Sequence, residues 1–490
     1  MKKIIYATFG LAAILASSCK KEATPKITDL NGKLGTSELV TGAGVDTLKG
    51  SITVNTTVTR KTILKGLVYV NAGVTLTINP GVTIVGSAGP VVPDTVNLEN
   101  NKGTLLVQRG ARLVANGTAG SPIIWTSSQS AGSRQFGDWG GVVIYGRAPI
   151  HRANGATNGL FEAFDFKPDN RNRYGYGDAA FPTANIHDNS GSITYNRFEF
   201  GGGVIYQVNK EVNGFTMCGV GDGTIFHHNE ILESGDDGIE FFGGTVDVHH
   251  IFVYNPHDDA FDFDEGYQGH LQFIVAVQNG NADNSGSHLF EIDNDASATN
   301  FLPRTNPIIT NATLVGPQVA KGFGTSPNSY YDGAIQVRRN ARLKLFNSNI
   351  IAWQQPSFIA ASPTTRPVVA QIPSIADSIV LAVNLIQSSS ATPTVTSAIE
   401  GNPVPLATAQ DAGLNAIIFK TSVTGNVKLT SFTSFNLSST LQNTATSPSI
   451  SGGVDLNARG LTMFVGTTQR GAVLSTDNWL YSPWVSIAAN

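Results

Sequence analysis

Two consecutive stretches of the chain superimpose at an offset of 22 residues. His227-His228-Asn229 through Ser234-Gly235-Asp236-Asp237-Gly238-Ile239-Glu240-Phe241 lines up with His249-His250-Ile251 through Pro256-His257-Asp258-Asp259-Ala260-Phe261-Asp262-Phe263. A period of that length suits one coil of a parallel β-helix, three short strands of ~3.3 Å rise per residue plus three turns. A β-propeller blade would need about 40–45 residues. A second pattern extends the reading. Gly66–Ile78 recurs as Gly103–Ala115 and again as Gly333–Leu345, each alternating apolar and polar residues with Gly or Asn at a bend. The expected fold is an all-β, single-stranded right-handed parallel β-helix over residues 51–355, of roughly a dozen coils at ~22 residues each. Residues 356–490 are expected to form the C-terminal end of the solenoid and a capping region. Composition agrees: 52 of 490 residues are glycine, only 14 % are charged, two are cysteine, and the net charge is −4. These values exclude a disulfide-stapled scaffold, a disordered acidic chain and a basic nucleic-acid binder.

Period-two alternation assigns the faces. Phe215-Thr216-Met217, Ile239-Glu240-Phe241, Phe261-Asp262-Phe263, Phe290-Glu291-Ile292 and Ile335-Gln336-Val337 read as successive rungs. Their flanking residues turn inward, so Thr216, Glu240, Asp262, Glu291 and Gln336 form an outward ladder. On the neighbouring strand position His228, His250 and Gln272 are expected to face out, with Asn229 facing in as part of a hydrogen-bonded interior stack. Segments 201–213, 233–238, 255–260, 278–288 and 316–332 fall between these strand positions, so the insertions elaborate one corner. A further irregular stretch, Arg147–Ser190, carries Phe161, Phe164, Phe166, Tyr174, Tyr176 and Phe181. After about residue 355 the alternation weakens, and the aromatic close Asn478–Trp484 reads as a cover for the open end of the stack.

The N-terminus reads as an address. Lys2 and Lys3 precede an apolar run, Ile4–Ala16, too short to span a bilayer. The following Ser17-Ser18-Cys19 resembles the end of a bacterial lipoprotein signal in the looser form of the Bacteroidota. That resemblance implies a signal peptide over 1–18, lipidation of Cys19, a flexible tether over 19–50 and an outer-membrane location facing the cell exterior. Cys218 is expected to be a small buried residue.

Gly137-Asp-Trp-Gly-Gly-Val-Val-Ile-Tyr-Gly146, with Asp188-Asn-Ser-Gly191, Glu199-Phe-Gly-Gly202, Gly235-Asp-Asp-Gly238 and Phe241-Phe-Gly-Gly-Thr245, resembles a family of Bacteroidota cell-surface lipoproteins. The likeness covers roughly residues 50–350. It implies a pectin-lyase-like right-handed β-helix and a surface location, and it implies no particular activity.

The chemistry concentrates in carboxylates. Asp236, Asp237, Glu240, Asp258, Asp259, Asp262, Asp264, Glu291 and Asp293 crowd a few adjacent coils. Unit charges one rung apart repel by about 3–4 kcal/mol at an effective dielectric near 20. A cation must sit there, a basic group must intervene, or some carboxyls must keep their protons.

Three readings follow. In the first, Asp237, Asp259, Asp262, Asp264, Glu291 and Asp293 hold Ca²⁺, and an extended polymer, a glycan, binds along Glu240, Asp262 and Glu291 with Tyr174, Tyr176 and Tyr331 as stacking residues. In the second, Asp236, Asp237, Asp258 and Asp259 serve a polysaccharide hydrolase or lyase. Asp236-Asp237 resembles the paired aspartates of β-helical polygalacturonases, although that family's Asn-Thr-Asp, Gly-His-Gly and Arg-Ile-Lys motifs are absent. A lyase would need a base, for which Arg197 and Lys210 are the candidates. In the third, the aspartates are turn residues bonding local backbone, and the protein is an adhesin or a subunit of an outer-membrane assembly with flat apolar patches. The first reading is the expectation, with no catalysis and no nucleic-acid partner. His228, His250 and His257 offer a transition-metal alternative, Tyr330 could also stack on a sugar, and Arg338 and Arg339 are expected to be solvated.

Overall fold

Short apolar alternations of this kind cannot bury a face alone, so each must stack on its neighbours. In the computed structural model the described residues are 40–353 and 450–487, apart from 42–43, 91–96, 152–157, 167–168, 209, 281, 283–285, 318–329, 332 and 452, together with five strands between residues 359 and 405. Twenty-five strands join one sheet whose pairings are parallel throughout, save the first pair. Among the described residues there is no α-helix and no helix able to cross a membrane.

Each coil supplies three faces. On face A, strands beginning at Gly50, Leu67, Thr104, Gly141, Phe215, Ile239, Phe261, Phe290 and Ile335 stack in order. That is nine coils across residues 50–350 rather than about a dozen, because insertions remove residues from the winding. Face B includes Gly191–Thr194, Ile225–His227 and Val248–His249, and face C continues each of these as Asn196–Glu199, Asn229–Leu232 and Ile251–Tyr254. The winding starts at Asp46, within the segment expected to be a tether, and continues through Ile379–Ala382 and Leu385–Ser388. The signal segment and Cys19 lie outside the described residues.

The repeat register is as expected. Glu240 lies beside Asp262, Asp262 beside Glu291 and Glu291 beside Gln336. Inside, phenylalanines stack rung on rung, with Phe241 and Phe263 parallel at 5.2 Å. Asn229 is fully buried: its Oδ1 accepts from Asn196 N at 3.0 Å and its Nδ2 donates to Ile193 O at 2.8 Å. Such pairing removes the cost of burying an amide.

Faces B and C meet at a corner of left-handed residues: Tyr195, His228, His250, Phe273, Asn311 and Asn347, all with φ between 48° and 56°. His228 therefore lies over His250, but the next corner residue is Phe273. Gln272 pairs with His249 instead, one position from where the alternation placed it.

The C-terminal segment runs along this corner. Val454 bonds Asn347, Gln469 accepts from Asn311, Val465 bonds Gln272, Trp479 meets His250 at 5.3 Å, and Trp484 meets His228 at 5.8 Å. Its apolar residues join the outer side of face C, Leu232, Phe252, Val275 and Val315, in one cluster. The aromatic close thus straps the flank of the solenoid rather than covering its open end. Those outward residues are apolar, and the strap removes them from water.

The insertion after Tyr145 does the same for the early coils of face A. A hairpin of Asn158–Leu160 and Arg173–Gly175 brings Phe161, Phe164 and Tyr174 onto the outward Leu67, Leu106, Val143, Tyr145 and Phe242. Cys218 is buried in that cluster, as expected.

Candidate functional site

The insertions between faces C and A wall a cleft of about 720 Å³ over the outward side of face A. Its floor is Glu240, Asp262 and Glu291. Its walls include Gly235–Asp237, His257–Asp259, Gly286, Val208 and Glu211, with Glu162 from the long insertion and Arg338 and Arg339 at one end. The turn preceding Ile239 is tight. A Cβ on Gly238 would stand 2.4 Å from Val253 Cγ1 and 2.7 Å from Ala260 O, so only glycine fits there, directly after the cleft-lining Asp236-Asp237.

Two aspartates are tied into the scaffold. Asp237 Oδ1 accepts from Asp259 N at 3.0 Å, and Asp259 Oδ1 accepts from His288 N and lies 3.2 Å from His288 Nδ1. Turn chemistry is present, but each bond reaches the next coil instead of the local backbone. Asp258 Oδ1 accepts from Ser287 Oγ at 3.1 Å. The third floor residue, Glu291, has His288 Nδ1 at 3.6 Å.

Among the described residues a basic group intervenes at one end. Arg338 pairs with Glu291 and, at 3.0 Å, with Asp293, and Arg339 reaches Asp293 at 2.6 Å. Asp293, expected as a metal ligand, is instead neutralised, and the arginines expected in solvent are anchored. Alternation contained this signal: Arg338 is two residues after the outward Gln336, as Asp293 is two after Glu291. Arg338 has its pKa raised because these carboxylates outweigh burial.

The remaining floor has no such help. Among the described residues no Lys or Arg forms an ion pair with Asp237, Glu240 or Asp262. Burial first, then neighbouring carboxylates, push the pKa values of all three well up, together with Asp259 and Asp264. Glu291 is also raised by burial, with Arg338 opposing. Glu240 accepts from Asn213 Nδ2, whereas the buried Asp262 Oδ1 has no hydrogen-bond partner.

Donor atoms converge in three groups, each within 4.8 Å: Asp236, Asp237 and Asp258; Asp237, Glu240 and Asp262, which shares Asp237 with the first; and, separately, Asp259, His288 and Glu291. Asp264 accepts from Glu265 N and stands outside the cleft lining. His288 was missed although the ladder's register carries it: it stands three residues before Glu291, as Asp259 does before Asp262 and Asp237 before Glu240.

Several expected site residues lie elsewhere. Tyr174 is buried under the insertion and donates to Glu265. Tyr331 belongs to the interior core, Tyr176 is half-buried away from the lining, and Tyr330 is exposed outside it. Arg197 pairs with Glu199 on face C at 3.0 Å, and Lys210 pairs with Asp165, so neither is a base at the ladder. His257 lines the cleft against Phe136, away from the His228–His250 stack. Glu230, on the face C strand that follows His228, is fully buried and accepts from Ser486 N at 3.0 Å.

Comparison with curated proteins and with solved structures finds no match. A family model described as a pectate-lyase-like β-helix domain matches residues 47–421, most of the winding and the whole cleft, and the chain belongs to that family.

Proposed function

We propose that the cleft holds Ca²⁺ and, through it, an extended acidic glycan, without cleaving it. The observation that carries this reading is the Asp237–Glu240–Asp262 group: converging oxygen donors, no basic partner among the described residues, and a buried Asp262 oxygen with no hydrogen bond. Oxygen-only donors on adjacent rungs are the hard set Ca²⁺ prefers. Ionising them without a cation opposes about 3–4 kcal/mol of repulsion per pair one rung apart. A bound Ca²⁺ would offset most of the floor's negative charge and keep coordination positions open to a polymer's carboxylates, and Arg339 at the end adds a second point for them.

Cleavage is less well supported. Asp236, Asp237 and Asp258 approach within 4.8 Å, inside the roughly 5–5.5 Å of retaining glycosidases and the roughly 6.5–9.5 Å of inverting ones. Arg338, which pairs with the ladder's Glu291, is held protonated by two carboxylates and makes a poor base. The adhesin reading finds its broad apolar faces already covered by the chain's own insertion and strap. Lipidation at Cys19 would present the cleft at the outer-membrane surface. A Cys19→Ala chain that still takes up labelled lipid would remove that part.

The deciding experiment is a Ca²⁺ titration of the full chain followed by thermal shift, with Asp262→Asn beside it, then incubation with polygalacturonate and alginate. We expect saturable stabilisation, lost in Asp262→Asn, calcium-dependent glycan retention, and no new reducing or unsaturated ends. Absence of stabilisation overturns the calcium reading. Accumulating chain ends would replace binding with catalysis.

A further inference from the structure

Outside the cleft, the densest cluster of ligand-type side chains lies where the C-terminal strap crosses the corner of faces B and C. Two His-His pairs occupy adjacent rungs. His227 stacks on His249 at 4.6 Å and His228 on His250 at 4.4 Å, the latter rings parallel within 6°. Within each pair the Nδ1 atoms face one another, at 2.9 Å for His227 and His228 and 2.7 Å for His249 and His250. Between two neutral imidazoles only one nitrogen of such a contact can carry the proton, so each pair keeps a lone pair near the seam.

His228 and His250 hold left-handed backbone, φ 53° and 54°, uncommon for a non-glycine residue. The strap supplies a carboxylate, Asp477 Oδ2, 3.3 Å from His250 Nε2. Tyr195, Trp479 and Trp484 wall the cluster.

We propose that His228, His249 and His250, closed by Asp477, form a site for a divalent transition-metal ion of the Zn²⁺, Ni²⁺ or Cu²⁺ class that fastens the strap to the solenoid. The three histidines already bring one ligand nitrogen each to within 4.8 Å of one another. Tetrahedral coordination at about 2.0–2.1 Å needs donors roughly 3.3–3.4 Å apart, a closure of at most about 1.5 Å. Side-chain rotation can supply it, because His249 is exposed. Three imidazoles and one carboxylate are the donors such ions take, and they discriminate against Ca²⁺. The rings are kept neutral, as ligands must be. Burial, then mutual repulsion, holds His228 down to about 3, and His250 is also lowered by burial despite Asp477. This site shares no residue with the acidic cleft.

The test uses the full chain stripped with a chelator, titrated with Zn²⁺ by calorimetry and with Co²⁺ by visible absorption, in excess Ca²⁺ to saturate the cleft. One ion per chain is expected, with tetrahedral Co²⁺ bands. Affinity should fall at least tenfold in His249→Gln, a variant at an exposed position that should fold normally, and should be unchanged in Asp262→Asn. Limited proteolysis should show the strap protected by Zn²⁺ in the parent but not in Asp477→Asn. Absence of saturable binding, or equal affinity in His249→Gln, overturns the site. Equal protection in Asp477→Asn overturns the fastening.

Discussion

The outward side of face A is built twice, in two opposite ways. In the early coils it presents Leu67, Tyr69, Leu106, Val143 and Tyr145, and an insertion folds back to bury all of them. From Glu240 onward the same side of the same sheet presents Glu240, Asp262, Glu291 and Gln336, and the insertions stand aside as walls. The boundary falls inside one strand, because Glu240 opens on the cleft while Phe242, two residues on, lies 5.2 Å from Phe161. Backbone pairing continues unchanged across it, so the winding does not decide what is covered. The outward side chain decides. Apolar surface rewards a covering loop with about 25 cal/mol per Å², whereas crowded carboxylates penalise loss of water. The cleft is the part of the face that the chain has no energetic reason to cover with itself.

That contrast can be broken most severely in the covered half. Phe161→Ala removes the ring that touches Tyr145, Phe164 and Phe242. Large-to-small changes at such sites cost about 3–5 kcal/mol, and chemical denaturation should register a loss of that size with no change in Ca²⁺ affinity. A much smaller loss would mean that the insertion rests on the solenoid without stabilising it.

Within the open half, Arg338→Gln tests the basic end. Glu291 and Asp293 would lose a shared partner, and breaking a buried pair typically costs 3–5 kcal/mol. We expect about 3 kcal/mol, since Arg339 still reaches Asp293. Added Ca²⁺ should restore part of this, because a cation can stand where the guanidinium stood. Thermal shifts identical with and without Ca²⁺ would show that the two ends of the cleft do not communicate.

The legibility of these two halves in the sequence was unequal. The ladder was readable because strand alternation has a strict period of two and the 22-residue offset aligned Glu240 with Asp262. Asn229 and its interior pairing were readable for the same reason. Gln272 was misplaced by one residue because the left-handed corner residue consumes a position without alternating, and nothing in the local pattern of Gln272-Phe273 marks it. Tyr174 looked like a sugar-stacking residue because loop aromatics are ambiguous until their apolar partners, here Phe242 and Tyr145, are brought beneath them. The strap was the least legible element. Its partners, Asn347, Asn311, His250 and His228, lie more than a hundred residues away, and no periodicity links Trp479 to His250.

The finest test separates charge from shape on the cleft floor. Asp262→Asn keeps the size of the side chain and removes one ionisation. Asp237, Glu240, Asp259 and Asp262 all have folded-state pKa values above their unfolded ones, through burial and neighbouring carboxylates. Such groups contribute stability that is fully present below the ordinary carboxylate range, about 4, and is lost as pH rises through their raised values. The calcium-free parent should therefore lose stability as pH climbs above about 4, and Asp262→Asn should lose less, ending about 1 kcal/mol more stable than the parent at pH 8. Saturating Ca²⁺ should reverse that ranking, because the ion binds the ionised floor and the amide removes a ligand. Melting curves across pH, with and without Ca²⁺, would read both signs. A variant that is less stable than the parent in calcium-free buffer at pH 8 would show that Asp262 stabilises the floor by a contact its amide cannot make, and that repulsion is not what keeps this half of the face open.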